Sequence, residues 1–272
     1  MQEGRSPWQV WGWGITAGFA VAALAFPWAR QQGWVADPTA FLDYPIEAPP
    51  SWEHWFGTDR QGHDILARCW GAIGVAWQVV LAATAIALPI AVPLGLWAGN
   101  RGGWWDRVLT LAMDALYALP GLLLSIAIAF AVGPGVWNAA IALSVIYIPQ
   151  YFRVVRNQTL SVRNEGYVEA ARTVGVPPWV ILTRYIAPNV WPNVPVLLAF
   201  NAADAVLTLA GLGFLGLGVP PTVPEWGHDL KQALDTIATG EPLWWTAFFP
   251  GFTMVGMVLG LSLAVEGERP QS

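Results

Sequence analysis

The chain has 272 residues, of which 55% are apolar and only 11% charged, with a mean hydropathy of +0.46 and a formal net charge of −5. A soluble domain carries roughly 25% charged residues, so most of this surface does not face water. A single cysteine, Cys69, excludes an internal disulfide and any cysteine-based zinc cluster.

Charge is absent from residues 69–100, 115–152 and 242–265. About 20 apolar residues cross a bilayer as a helix, so each stretch holds at least one span. In chain order, six transmembrane helices are predicted, at about 10–28, 72–99, 108–131, 136–152, 189–212 and 243–265. The first run is longer than the core of a cleaved signal peptide, the rival reading, and ends in Phe26-Pro27-Trp28 rather than small residues. It is therefore expected to be a retained helix. Gly133-Pro134-Gly135 breaks the third span from the fourth. Pro89, Pro93, Pro120 and Pro149 should kink the spans that contain them. Trp8, Trp28, Trp97, Trp104, Trp105, Trp244 and Trp245 sit where spans meet loops, the level that indole rings favour. Gly95 with Gly99, and Gly256 with Gly260, allow close helix approach. Packing inside the bundle and contact with a second membrane subunit are both open.

Three long segments are expected outside the bilayer: 29–71, 153–188 and 213–242. Orientation follows from the positive charges. With six spans, Arg5, Arg101, Arg107, Arg153, Arg156, Arg163, Arg172, Arg184 and Arg269 share one side, and Arg30, Arg60, Arg68 and Lys231 the other. The arginine-rich side is predicted to be cytoplasmic, with both termini inside.

The segment 153–188 carries the functional signal. Tyr167, Ala170, Ala171 and Val174 recur at helical spacing, and Gly175 with Pro177-Pro178 ends the run. A second helical stretch, about 178–187, leads to Pro188. Two short helices joined at a glycine form a rigid protrusion, which can transmit motion from a partner into the membrane.

Glu169-Ala170-Ala171, three residues and then Gly175 resembles the EAA signature of binding-protein-dependent ABC importer permeases, with Tyr185-Ile186-Ala187-Pro188 standing where Ile-x-Leu-Pro closes it. Further residues resemble the dipeptide/oligopeptide/nickel branch, in its shorter, DppC/OppC-like membrane subunit. They are Phe56-Gly57-Thr58-Asp59 with Gly62 and Asp64, then Asp106, Asp114 and Leu119-Pro120. Gly213-Phe214-Leu215-Gly216-Leu217-Gly218, Pro220-Pro221 and Glu225-Trp226-Gly227 complete the set. His63 stands where Arg is usual, and Leu209 where many members carry Glu.

The resemblance implies an all-α membrane protein of the type I importer permease fold. Residues 1–71 would form an N-terminal helix plus extracytoplasmic segment, and 72–268 the permease core. It implies a subunit of the bacterial inner membrane that forms half of a pathway for peptides, with nickel or another small solute as the alternative. The implied partners are a second permease, two cytoplasmic ATPase subunits, an extracytoplasmic binding protein and membrane lipid, with no nucleic acid and no cofactor. Glu165 and Glu169 would face basic groups on the ATPase while Tyr167, Ala170 and Ala171 pack and Gly175 joins the helices. A different class, the ion-coupled secondary transporter, would use Asp114 and Asp204 as proton relays, but no inverted repeat is visible.

Asp114 and Asp204 lie within spans, where a carboxylate costs at least about 2.5 kcal/mol and normally faces a cavity or a partner. With Gln150 and Asn201 they are the pore-lining candidates, interhelical bonding being the alternative for each. Asp59, His63 and Asp64 could suggest a metal, but Asp59 after Gly57-Thr58 is expected instead to fix a turn, and no metal is expected. No G-x-S-x-G, H-E-x-x-H or P-loop is present, so catalytic residues are not expected and the energy must come from other chains.

Overall fold

The structure is a computed structural model describing residues 7–238, 240 and 243–265. Arg5, Arg269, both termini and the expected end of the core at 268 lie outside the described residues. The helices are α1 (Pro7–Gln31), α2 (Ile65–Arg101), α3 (Gly103–Tyr117), α4 (Gly121–Val132), α5 (Val136–Val162), α6 (Gly166–Thr173), α7 (Pro178–Phe214), α8 (Trp226–Ala238) and α9 (Trp244–Leu263).

Five of these are long and apolar enough to cross a membrane, namely α1, α2, α5, α7 and α9. The predicted third span is broken: α3 and α4 meet at 87°, and the spans number six when this bent pair counts as one. The break falls at Leu119-Pro120. Proline lacks an N–H and crowds the carbonyl four residues back, and the residue before it is pushed out of the helical region.

Several spans run beyond their apolar cores. α5 continues to Val162 and α7 begins at Pro178, so only short connectors remain of the expected cytoplasmic loop. The expected boundary at 71/72 falls inside α2. Segment 213–242, expected outside the bilayer, contains the short helix α8, which packs on α7 and α9.

The spine is the pairing of α2 with α5, the most extensive helix contact. Along α2, Ala83, Ala87, Ala91, Gly95 and Gly99 recur every fourth residue and are all buried. A Cβ on Gly95 would stand 2.9 Å from the Phe152 carbonyl oxygen, and one on Gly99 would stand 2.7 Å from Thr159 Cβ. Small residues thus let the two backbones close up, and packing gains replace the hydrophobic effect that lipid cannot supply. α1 packs on α9 the same way: a Cβ on Gly260 would meet Ile15 at 2.6 Å. Both glycine pairs serve packing inside the bundle.

Within α7, Ile181–Ile186 is π-helical. This wide turn immediately precedes Ala187-Pro188, where a proline within a continuing helix leaves a carbonyl without its usual donor.

Between α1 and α2, Asp59 closes a turn as its position suggested: Oδ1 accepts from the N–H groups of Gln61 and His63, each at 2.8 Å. Phe56 stacks on Phe249 at 4.0 Å between centroids, and Trp245 Nε1 donates to the Thr58 carbonyl at 3.2 Å. These contacts seat the segment on the start of α9.

Candidate functional site

The short helix α6 is held by an apolar inner face. Val168 and Ala171 are buried in a cluster with Val155, Ile181, Ile186, Val190 and Val194. The inward residues are therefore Val168 and Ala171; of the run Tyr167, Ala170, Ala171 and Val174 read from the spacing, only Ala171 is buried. Tyr167, Ala170 and Val174 face outward with Glu165 and Glu169. Ala171 seats the helix on its own chain and offers no outer surface.

Gly175 ends α6 in the left-handed region, at φ 79°. Its N–H donates to the Arg172 carbonyl and that of Val176 to the Ala171 carbonyl, both at 3.0 Å. This pair of bonds is the Schellman stop. The same device ends α7. Gly216 has φ 77°, its N–H donates to Gly213, and that of Leu217 donates to Leu212. The glycines of both motifs thus fix where a helix stops and which way the chain leaves.

Polar bonds tie this end of the molecule together. Arg163 Nη1 donates to the Gly99 carbonyl at 2.7 Å, capping the last turn of α2. Arg156 grips Asp106 of α3 through Nε to Oδ1 at 2.5 Å and Nη2 to Oδ2 at 2.7 Å. Arg153 bonds Asp114 at 2.8 Å, and its guanidinium lies 4.2 Å over the Tyr117 ring. Asp114 is thus an interhelical ion-pair partner between α3 and α5.

Midway along the spans, Tyr147 of α5 donates its hydroxyl to Oδ2 of Asp204 in α7 at 2.9 Å. Tyr147 is buried while Asp204 is exposed, on a face it shares with Phe200 and Leu207. An exposed carboxylate at mid-span belongs to a cavity or a partner surface, since lipid would penalise it. Asn201 is buried one turn away, and Gln150 of α5 is half-buried. Leu209 is buried in the core, so no acid stands there. Sequence reasoning missed Tyr147; the only signal was two tyrosines, Tyr147 and Tyr151, one turn apart in a span.

On the opposite face, Glu225 Oε1 accepts from the Gly227 N–H at 2.8 Å and Oε2 from that of His228 at 2.9 Å, starting α8. Arg68 reaches Asp229 of α8. His54 pairs with Asp64 at 2.9 Å and His63 with Asp59 at 2.8 Å, so the two acids are held in separate pairs, each with its own histidine.

Residues 91–267 match the family described as binding-protein-dependent transport system inner membrane component. The chain belongs to this family. It is 32% identical over 274 residues to the glutathione transport system permease protein GsiD of Pectobacterium atrosepticum, covering 97% of this chain and 90% of that one. It is 37% identical over 220 residues to the dipeptide transport system permease protein DppC of Alkalihalophilus pseudofirmus, covering 81% and 71%. Among solved structures it is similar to an inward-facing MetNI methionine ABC transporter chain, with a TM-score of 0.51 and 20% identity over 72% of this chain and 96% of that one. That likeness concerns the fold, the type I permease arrangement. As a member of the family, the chain is the membrane permease subunit of a binding-protein-dependent ABC importer.

Proposed function

We propose that this permease forms half of a peptide pathway and is driven through α6 by cytoplasmic ATPase subunits. The observation that carries the reading is the seating of α6. Val168 and Ala171 lock it to the bundle, the Gly175 stop fixes its exit, and Glu165, Tyr167, Glu169 and Ala170 remain outward for a partner. A push on that outer face reaches the core directly, because Ile181, Ile186, Val190 and Val194 under it belong to α7. α7 also carries Asp204, the exposed acid assigned to the pathway, with Asn201 buried behind it as a second candidate. Asp114 and Gln150 remain in the candidate set; Asp114, on its ion pair with Arg153, acts through helix packing. The proposed assembly adds a second permease subunit, two ATPase subunits and an extracytoplasmic binding protein. Residues 1–71 are peripheral, 72–268 form the core, and both termini are cytoplasmic. The peptide substrate rests on relatives whose names specify dipeptide and glutathione transport.

The test is Gly175→Leu. A Cβ there meets nothing within 4 Å, so the resistance to it comes from the left-handed backbone, at about 1–2 kcal/mol. The variant should insert normally and lose both uptake and co-purification of the ATPase. Wild-type pull-down and uptake would overturn the coupling role. Orientation is read separately with Glu169→Cys: Cys69 is buried, so an impermeant thiol reagent should label position 169 from the cytoplasmic side alone.

A further inference from the structure

At the end of the bundle that carries α6, a cleft of about 580 Å³ opens between three elements. The last turn of α2 contributes Trp97, Asn100 and Arg101; α6 contributes Arg172; the start of α7 contributes Trp179 and Ile181. Among the described residues, no carboxylate lines it. Among the described residues, none of the ion pairs involves Arg101 or Arg172. The nearby acids on α3 are engaged elsewhere, Asp106 by Arg156 and Asp114 by Arg153. Arg172 Nη2 bonds Asn100 Oδ1 at a long 3.4 Å, leaving most of its donors free for another acceptor.

We propose that this cleft binds the phosphate-bearing head group of an anionic phospholipid, held between Arg101 and Arg172. Three observations favour a lipid. First, the charge is right: two guanidinium forks facing one space match the oxygens of a phosphate, and basic pockets between membrane helices take anionic head groups. The end of α2 opposes an anion through its helix dipole, but that effect is muted here because Arg163 already covers the Gly99 carbonyl. Second, the depth is right. Trp97 lies against Trp105 at 5.8 Å between centroids, and Trp104 and Trp179 are exposed, which puts the cleft in the indole belt at head-group level. Third, the face of α2 that bears Arg101 and Trp97 continues into the span as Pro93, Ile90 and Pro89, all exposed. That is an apolar track for acyl chains, which a free phosphate does not need. A head group in this place bridges the end of α2 to α6, so the membrane itself stiffens the α6 support. The inference does not rest on ATPase docking.

The experiment is native mass spectrometry of the full-length protein in detergent, titrated with phosphatidylglycerol, phosphatidylcholine or inorganic phosphate. The wild type should retain phosphatidylglycerol selectively. Arg101→Gln and Arg172→Gln should each weaken retention about fivefold, and the double variant about thirtyfold, with phosphatidylcholine adducts unchanged. Lysine at both positions should restore part of the retention. Equal retention of phosphatidylglycerol and phosphatidylcholine, or undiminished retention in a double variant that melts like the wild type, overturns the proposal. So does full displacement by inorganic phosphate, which assigns the cleft to a free anion. Should the double variant fail to fold, Arg101→Gln decides alone, because that side chain is exposed and outside α6.

Discussion

Arg68, in the first turn of α2, donates from Nε to Oδ1 of Asp229 in α8 at 2.8 Å, and both residues are buried. Its Nη1 also reaches the Pro38 carbonyl at 3.2 Å, so one guanidinium joins a span, the short helix α8 and the segment before α2. Removing one member of a buried ion pair leaves the other charge uncompensated, at about 3–5 kcal/mol. Asp229→Asn and Arg68→Met should each lower the melting temperature in detergent, and Arg68→Met with Asp229→Leu should recover much of the loss. Tryptophan-fluorescence melting of the three variants checks this; additive losses in the double variant would contradict the pairing.

The start of α8 presses on the end of α7 through two glycines. A Cβ on Gly213 would stand 1.7 Å from Glu225 Oε2, and one on Gly227 would stand 1.8 Å from the Ala210 carbonyl oxygen. Gly213→Ala must expel the Glu225 carboxyl group from its two backbone donors, at about 0.5–1.5 kcal/mol for each bond lost. Gly74→Ala is the control. Nothing lies within 4 Å of a Cβ there, and alanine favours the helix by about 1 kcal/mol. The first should melt well below the wild type and the second at or above it.

Tyr147 and Asp204 separate folding from transport. Tyr147→Phe removes the donor to the carboxylate and should cost about 1.5–3 kcal/mol of stability. Asp204→Asn keeps an oxygen for the Tyr147 hydroxyl and should melt near the wild type. If Asp204 lines the pathway, uptake of a peptide with a free amino terminus should nonetheless fall in this variant. Normal uptake would return Asp204 to a purely interhelical role.

Glu225 gives the pH dependence. Burial pushes its carboxyl up to about 8, against the pull of the Gly227 and His228 N–H groups, and the nearby Asp229 charge adds to the rise. A carboxyl raised on folding stabilises the protein fully below its unfolded value, and that contribution is lost as pH rises through the folded one. Melting temperature should therefore fall between about pH 5 and pH 8. Glu225→Gln should show a flatter profile in that window from a lower starting point, because its amide nitrogen cannot accept a backbone N–H. Asp59 acts oppositely. Burial would raise its carboxyl, but the His63 ring and backbone bonds outweigh it and hold it below 3.8. Its contribution is present above that value and lost in acid.

The all-helical membrane class, the spans and the glycine that ends α6 were legible in the sequence, because apolar run length and left-handed glycine stops are local properties. So was the turn at Asp59, whose carboxylate bonds amides two and four residues on. The inner stripe of α6 was not. The spacing of Tyr167, Ala170 and Val174 is as regular as that of Val168 and Ala171, and only the position of α7 selects between them. Leu119-Pro120 announced a kink but not an angle of 87°, which depends on what flanks both halves.

The sequence by itself determined that this chain lives in a bilayer and carries a short helix with a fixed stop, since transfer free energy and backbone sterics act residue by residue. Only the tertiary structure decided that Arg68 meets Asp229, that Tyr147 holds Asp204, and that Gly213 makes room for Glu225. Each of these pairs joins separate helices whose relative rotation is set by close packing over the whole bundle, and no local pattern encodes that rotation.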